Sequence, residues 1–440
     1  VDEVRRLIGL AWPVVLGQVG MVAMGVVDLL MVRSLGDSAT AAVGIGNTWS
    51  FASLVFGLGL SAGIDPFVAQ AYGAGQPRVA GTAAARGAVV IVVACVPIVA
   101  MHLLAEPVFR LLGQPEEAIA DAAAFTRIIA LSMPAFLGFS LVRQWLQGGG
   151  VMRPAMYVVV AGNLVNLVAA WTFVQGPGPF PALGVPGVAW ATTVVRWLML
   201  IALVVIGRRV LWAARPLPGW FDVRAIARVA LVTTGVGVQI GLEVWAFGAG
   251  SFLAGALGVT EAAAHTVALN AASLAFMVPF GISAAAATRV GNLVGAGSDW
   301  RRAGWTAVAL GAGAMTFSAS LFLLAPEAVG RTYNSDPTVV LLVAAILPYA
   351  AMFQWFDGTQ VVAFGVLRGL GDTQRPGLFN LVGYWFVGLP LGAWLAFRGG
   401  WGLPGVWLGY VVGLVIVALL LLARLALHTR DSGAVRPTVA

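Results

Sequence analysis

Apolar residues run along this chain in stretches of roughly twenty, separated by short breaks rich in Gly, Pro and charged residues, with none of the period-two alternation of half-buried strands. A helix rising 1.5 Å per residue crosses a hydrocarbon core of about 30 Å in such a stretch, so the pattern predicts membrane-spanning helices. The runs fall at 7–32, 41–71, 84–105, 120–144, 155–174, 186–206, 226–256, 262–290, 303–325, 338–367, 377–398 and 404–427. An outer-membrane barrel would read instead as short alternating segments, and helices are the remaining way to satisfy the backbone in lipid. The predicted fold class is an all-α polytopic membrane protein of about twelve transmembrane helices. Its first run, Leu7–Val32, exceeds the apolar core of a signal peptide and is expected to be retained as the first span.

The pattern also repeats at a displacement of about half the chain. Gly73-Ala74-Gly75 matches Gly295-Ala296-Gly297, Arg153-Pro154 matches Arg375-Pro376, and Gly184-Val185-Pro186-Gly187-Val188 matches Gly402-Leu403-Pro404-Gly405-Val406. Six spans per half is an even number, so the halves insert in the same direction. They are expected as two six-helix lobes related by a pseudo-two-fold axis along the membrane normal, an N-terminal lobe at 1–207 and a C-terminal lobe at 226–440. The basic, Pro-containing segment 208–225 between them reads as a cytoplasmic linker.

Composition sharpens this picture. The chain is 60% hydrophobic and only 10% charged, which excludes a soluble enzyme. All 25 basic residues are Arg, and nineteen of them fall on one side of the predicted spans; Arg33, Arg110, Arg127, Arg331 and Arg398 fall on the other, with Arg196 inside a span. Cytoplasmic segments accumulate such charge, so both termini are expected in the cytoplasm and the net +7 reflects topology in a cytoplasmic (inner) membrane rather than nucleic-acid binding. Cys95 is the only cysteine, so no intramolecular disulfide or Cys-x-x-Cys pair exists, and His102, His265 and His428 are too scattered for a zinc motif. Without Lys the chain has no Gly-x-x-x-x-Gly-Lys-Ser/Thr phosphate loop.

Charges inside the spans carry the candidate chemistry. A carboxylate in hydrocarbon costs about 2.5–3.5 kcal/mol even on insertion scales, so it faces a partner or an aqueous cavity. Glu243 lies mid-span with Gln239 and Phe247 one turn away on its face, and Asp357 has Phe353 and Gln360 on its face and Trp355 nearby. Asp28 stands toward the outer end of the first span. Such a group either takes up a proton or stays charged beside a cation, and either event can be coupled to an organic cation competing for the same site. Aromatic faces hold organic cations by cation–π attraction, which makes Phe247, Phe353 and Trp355 cavity candidates. Arg196 calls for a carboxylate or a watery space, with Asp28 one conceivable partner.

Beyond these residues, whole strings resemble the multidrug and toxic compound extrusion (MATE) transporters over nearly the full length. They are Pro13 and Asp28; Gln70-Ala71-Tyr72-Gly73-Ala74-Gly75; Leu242-Glu243-Val244-Trp245-Ala246-Phe247; Ala263-Ala264-His265; Arg289-Val290-Gly291-Asn292; Gly365-Val366-Leu367-Arg368-Gly369; and Gly402-Leu403-Pro404-Gly405-Val406-Trp407. The resemblance implies a two-lobed antiporter that exports cationic drugs or metabolites in exchange for inward Na+ or H+. Glu243 and Asp357 match the acidic positions of the second lobe in the NorM-like and eukaryotic branches, Asp28 matches the first-span Asp, and Asn166 matches a fifth-span Asn. Ala170 stands where the DinF-like branch has an Asp, which shifts the expected coupling site to the second lobe. Arg33 departs from the family's usual Gly.

The sequence thus predicts a secondary antiporter working by alternating access, with no cofactor beyond a coupling Na+ or H+ and no metal other than Na+ at Glu243 and Asp357. Its partners are expected to be a small organic cation and the bilayer, and the chain is expected to act as a monomer. Two rival readings remain open here. A lipid-linked precursor flippase of the same superfamily would favour a basic central cavity, and a polytopic group transferase would need a nucleophile, acid–base pair or metal motif that the chain lacks.

Overall fold

The computed structural model describes residues 2–176 and 181–430. Arg436, one of the arginines assigned above to the C-terminal side, lies outside them. The protein is all-α: among the described residues eleven helical stretches are long and apolar enough to cross a membrane, or twelve if one bent pair counts as a single span.

The chain forms two compact units, and each takes in part of a helix that continues into the other. One unit runs from Leu16 to Gly237. It contains most of α1 (Asp2–Val32), then α2 (Asp37–Ala62), α3 (Asp65–Gly73), α4 (Pro77–Leu103), α5 (Ala105–Leu111), α6 (Glu116–Ala130), α7 (Met133–Gly148), α8 (Arg153–Gln175), α9 (Val185–Ala213) and the start of α10 (Val223–Leu257). Glycine lets the start of α10 belong here: a Cβ on Gly59 of α2 would lie 2.5 Å from the Cα of Gly237. The second unit holds the residues up to Val15 and those from Val238 onward. It comprises the rest of α10, then α11 (Val259–Gly295), α12 (Arg301–Leu324), α13 (Pro326–Tyr333), α14 (Pro337–Leu370), α15 (Gln374–Asn380), a π-helical stretch Leu381–Gly388, α16 (Leu389–Ala393), a second π-helical stretch Trp394–Arg398 and α17 (Leu403–Arg430). The start of α1 is held to α11 by the Glu3–Arg289 ion pair at 2.7 Å and by Gly281, whose Cβ would meet Val15 at 2.4 Å.

The sequence repeats are structural repeats. Gly75 (φ 70°) and Gly297 (φ 64°) both terminate a helix in the left-handed region that glycine enters at no steric cost. In each case the residue after the glycine returns its N–H to a carbonyl five residues back, Gln76 to Ala71 at 2.9 Å and Ser298 to Leu293 at 2.8 Å.

Two predicted spans are interrupted for a shared reason. The run at 41–71 breaks between α2 and α3, and that at 120–144 bends by 47° between α6 and α7. Pro66 and Pro134 lie just beyond these breaks, and neither has an N–H to return to the carbonyl four residues earlier. At the second break α9 packs against the bend and donates to polar groups around it. Thr193 Oγ1 donates to the Ile128 carbonyl at 3.2 Å, Trp197 Nε1 to that of Leu131 at 3.1 Å, and Arg196 Nη1 to Ser132 Oγ at 2.8 Å. The Arg196 guanidinium also lies over the Phe136 ring, 4.7 Å from its centroid. Arg196 therefore braces the bend in the fourth predicted span.

In the second unit α17 packs closely along the π-helical segment. A Cβ on Gly409 would fall 2.5 Å from Gly392 Cα and from the Gly388 carbonyl oxygen. Small residues on facing helices permit this approach in lipid, where packing rather than hydrophobic exclusion drives association.

Candidate functional site

Three helices of the second unit converge on a buried polar layer. Gln239 and Glu243 stand one turn apart on α10, Asp357 and Gln360 nearly one turn apart on α14, and Asn380 ends α15 where the π-helical stretch begins. Glu243 is 8% exposed, Asp357 4% and the three amides no more than 1%. Gln360 Nε2 donates to Glu243 Oε1 at 2.8 Å, while Gln239 Nε2 at 3.2 Å and Asn380 Nδ2 at 3.3 Å reach Oε2. Gln360 Nε2 also reaches Asp357 Oδ1 at 3.5 Å, so one amide bridges the two carboxyl groups.

The layer has a surplus of acceptors. Gln239 Oε1, Gln360 Oε1 and Asn380 Oδ1 have no hydrogen-bond partner, although each is fully enclosed. Neither carboxyl has an ion-pair partner among the described residues. Oxygen atoms with nothing to accept suit a proton or a hard cation. Among the described residues no three His, Cys, Asp or Glu side chains gather, so a transition-metal centre does not form there.

An aromatic layer lies beside the polar one, built by the same helices one turn on. Phe247 follows Glu243 by four residues, Phe353 precedes Asp357 by four, and Tyr384 follows Asn380 by four. The centroid of Phe247 lies 5.7 Å from that of Phe353, 5.8 Å from Tyr384 and 5.4 Å from Tyr410 of α17, all edge-on. Tyr410 donates its hydroxyl to the carbonyls of Ala246 and Phe247 at 3.3 and 3.2 Å, and it fits because Gly250 has no side chain.

The other unit has its own carboxylate. Asp28 accepts from Asn166 Nδ2 of α8 and Thr192 Oγ1 of α9, both at 2.9 Å, and is 3% exposed. The conceivable Asp28–Arg196 pair does not form: Arg196, one turn beyond Thr192, is bonded to Ser132.

The structure therefore brings Glu243, Asp357, Gln239 and Gln360 into one cluster with Phe247 and Phe353 beside it, and pairs Asn166 with Asp28. Trp355 is not brought in. It is 55% exposed and donates its Nε1 to Thr316 Oγ1 at 2.7 Å, because two residues along a helix turn it to roughly the opposite face from Asp357. Asn380, Tyr384, Tyr410 and Thr192 escaped the sequence reading; the one available signal was Asn380 standing as a lone amide in an apolar run.

The family model described as MatE matches this chain twice, at residues 13–172 and 236–394. The chain belongs to the MatE family. The two matches start 223 residues apart and take in two of the three repeated strings, Gly73-Ala74-Gly75 and Arg153-Pro154 in the first, Gly295-Ala296-Gly297 and Arg375-Pro376 in the second. Among relatives of this MatE protein, the multidrug resistance protein NorM of Burkholderia vietnamiensis is 36% identical over 435 residues, covering 96% of this chain and 93% of its own length. The multidrug resistance protein PmpM of Pseudomonas aeruginosa is 32% identical over 440 residues, covering 97% and 92%. The crystal structure of the eukaryotic MATE transporter AtDTX14 superposes with a TM-score of 0.90 at 23% identity, over 100% of this chain and 99% of that one. This chain is accordingly a multi-pass membrane transporter rather than an enzyme. Glu243 and Asp357 lie within the second family match, Asp28 and Asn166 within the first.

Proposed function

We propose that this MATE transporter exports organic cations of the multidrug type in exchange for inward Na+ or H+, with Glu243 and Asp357 as the groups for which the two compete. The carrying observation is the polar layer: two buried carboxyl groups bridged by Gln360, three spare amide oxygens, and, among the described residues, no basic side chain paired with them. A coupling cation or proton at this layer cancels the charge that an organic cation would seek. Reciprocity then requires each to weaken the other's binding by the same factor. Gln239, Gln360 and Asn380 hold the carboxylates in place, and Phe247 and Phe353 offer ring faces beside them. Asp28 is a single carboxyl, with Ala170 one turn beyond Asn166 in place of a second acid, and plays the lesser part. The NorM and PmpM relatives, named for multidrug resistance, support the substrate class.

The transport cycle fits two six-helix lobes at 1–207 and 226–440, joined by 208–225, in a monomer with both termini in the cytoplasm. Reconstituted vesicles with a sodium gradient or a proton gradient imposed separately test the coupling. Movement of a fluorescent cation such as ethidium under one gradient names the ion, and Glu243→Gln is expected to abolish it. If neither gradient moves any of several cationic dyes, while a labelled lipid-linked precursor crosses the bilayer, the exporter reading fails.

A further inference from the structure

One surface of the Leu16–Gly237 unit has no part in this chemistry. Along α9 the exposed residues Val194, Leu198, Ile201 and Val205 recur at intervals of three and four, forming one aliphatic stripe. The same stripe continues into Arg208 and Trp212, so over about 27 Å of helix it changes from acyl-chain chemistry to cationic and aromatic chemistry. Just past the helix, Arg215 lays its guanidinium 5.0 Å from the centre of the Trp212 ring, which is itself 74% exposed.

This patch is held in place. Leu217 N–H donates to Thr82 Oγ1 at 2.9 Å, and Arg86 Nε donates to the Trp220 carbonyl at 3.0 Å, tying the segment to α4. The Ala214 carbonyl rests where a Cβ on Gly81 would stand, 1.5 Å away. The positive charge is also uncompensated. Asp222 is the one acid from Arg208 to Arg228, and its carboxylate is occupied by the N–H groups of Arg224 at 2.8 Å and Ala225 at 3.4 Å.

We propose that Arg208, Trp212 and Arg215 form a binding site for the headgroup phosphate of an anionic phospholipid whose acyl chains lie along the stripe from Val194 to Val205. The charge complements a phosphate, the tryptophan belongs at the headgroup level, and the aliphatic stripe continues the site into the hydrocarbon. A soluble anion would have no use for that stripe, so the lipid is the occupant the surface fits.

Retention of phosphatidylglycerol against phosphatidylcholine by the full-length protein in detergent, counted by native mass spectrometry, tests the site. Wild type is expected to retain phosphatidylglycerol preferentially. Arg208→Gln with Arg215→Gln is expected to lower its affinity roughly 30-fold, the effect of removing two surface arginines, while leaving phosphatidylcholine unchanged. Arg208→Lys with Arg215→Lys keeps the charge and is expected to keep the preference. Arg33→Gln with Arg398→Gln removes equal charge elsewhere and is expected to behave as wild type. The proposal is overturned if the first pair retains phosphatidylglycerol normally, or if the Arg33 and Arg398 pair loses it equally. It is also overturned if inorganic phosphate raises the melting temperature as much as the lipid does.

Discussion

Replacing Glu243 by Gln separates folding from coupling. In the native layer three amide N–H donors converge on the Glu243 carboxylate. The substitution keeps size but turns one acceptor into a donor, and leaving a buried donor unpaired costs about 1–3 kcal/mol. That cost is avoidable here, because Gln239, Gln360 and Asn380 each have an unpartnered carbonyl oxygen that a flipped amide can present. Melting is therefore expected to change by no more than about 1 kcal/mol. Coupling has no such escape, since a neutral amide neither takes up a proton nor attracts an organic cation. A tenfold ion gradient is worth about 1.4 kcal/mol, and in one-for-one exchange it sustains about a tenfold opposing gradient of a monovalent dye. Wild-type vesicles are expected to approach that ratio, and Glu243→Gln vesicles to remain near unity. A folded Glu243→Gln protein, normally reconstituted, that still concentrates dye about tenfold would refute the reasoning.

Asp28→Asn is expected to leave gradient-driven export within a few-fold of wild type in the same vesicles, because Asp28 is a single carboxyl with Ala170, not a second acid, one turn beyond its partner Asn166; a loss equal to that of Glu243→Gln would contradict the assignment of the lesser part. Arg196→Leu removes the bond to Ser132 at the bend between α6 and α7 and is expected to destabilise by about 1.5–3 kcal/mol in thermal melting, with Arg196→Lys intermediate. An unchanged melting temperature would show that the bend does not need its brace. Between the spans α14 and α15, burial alone would raise the carboxyl of Asp372, but hydrogen bonds from His428 at 2.9 Å and Arg424 at 2.6 Å outweigh it and hold the group below its ordinary value. A carboxyl lowered on folding stabilises the protein above its unfolded value and loses that contribution as pH falls through the folded one, so the effect belongs below about pH 4. Asp372→Asn is expected to flatten the acid side of a melting-temperature profile between pH 3 and 6, and an identical profile would remove the contact from the stability of the fold.

Hydrophobic periodicity and length determined the spans, because the thickness of a bilayer is read directly as a run of apolar residues. Paired glycines marked the internal repeat for an equally local reason: left-handed backbone at Gly75 and Gly297 excludes most other residues. Local spacing also disclosed the pairs within one helix, Glu243 with Gln239 and Asp357 with Gln360, since residues three and four apart share a face. Spacing fixes a face only relative to its own helix, and which neighbour that face meets depends on chain hundreds of residues away. Only the tertiary structure brought Asn380 onto Glu243 across 137 positions, set Tyr384 and Tyr410 against Phe247, and turned Trp355 outward. Arg196 shows the same division: its presence in a span announced the need for a partner, but a proline-induced break on another helix decided that the partner is Ser132. Backbone geometry and hydropathy act within a few turns and are written in sequence, whereas the satisfaction of buried polar groups is a property of packed helices, and it is settled only when they meet.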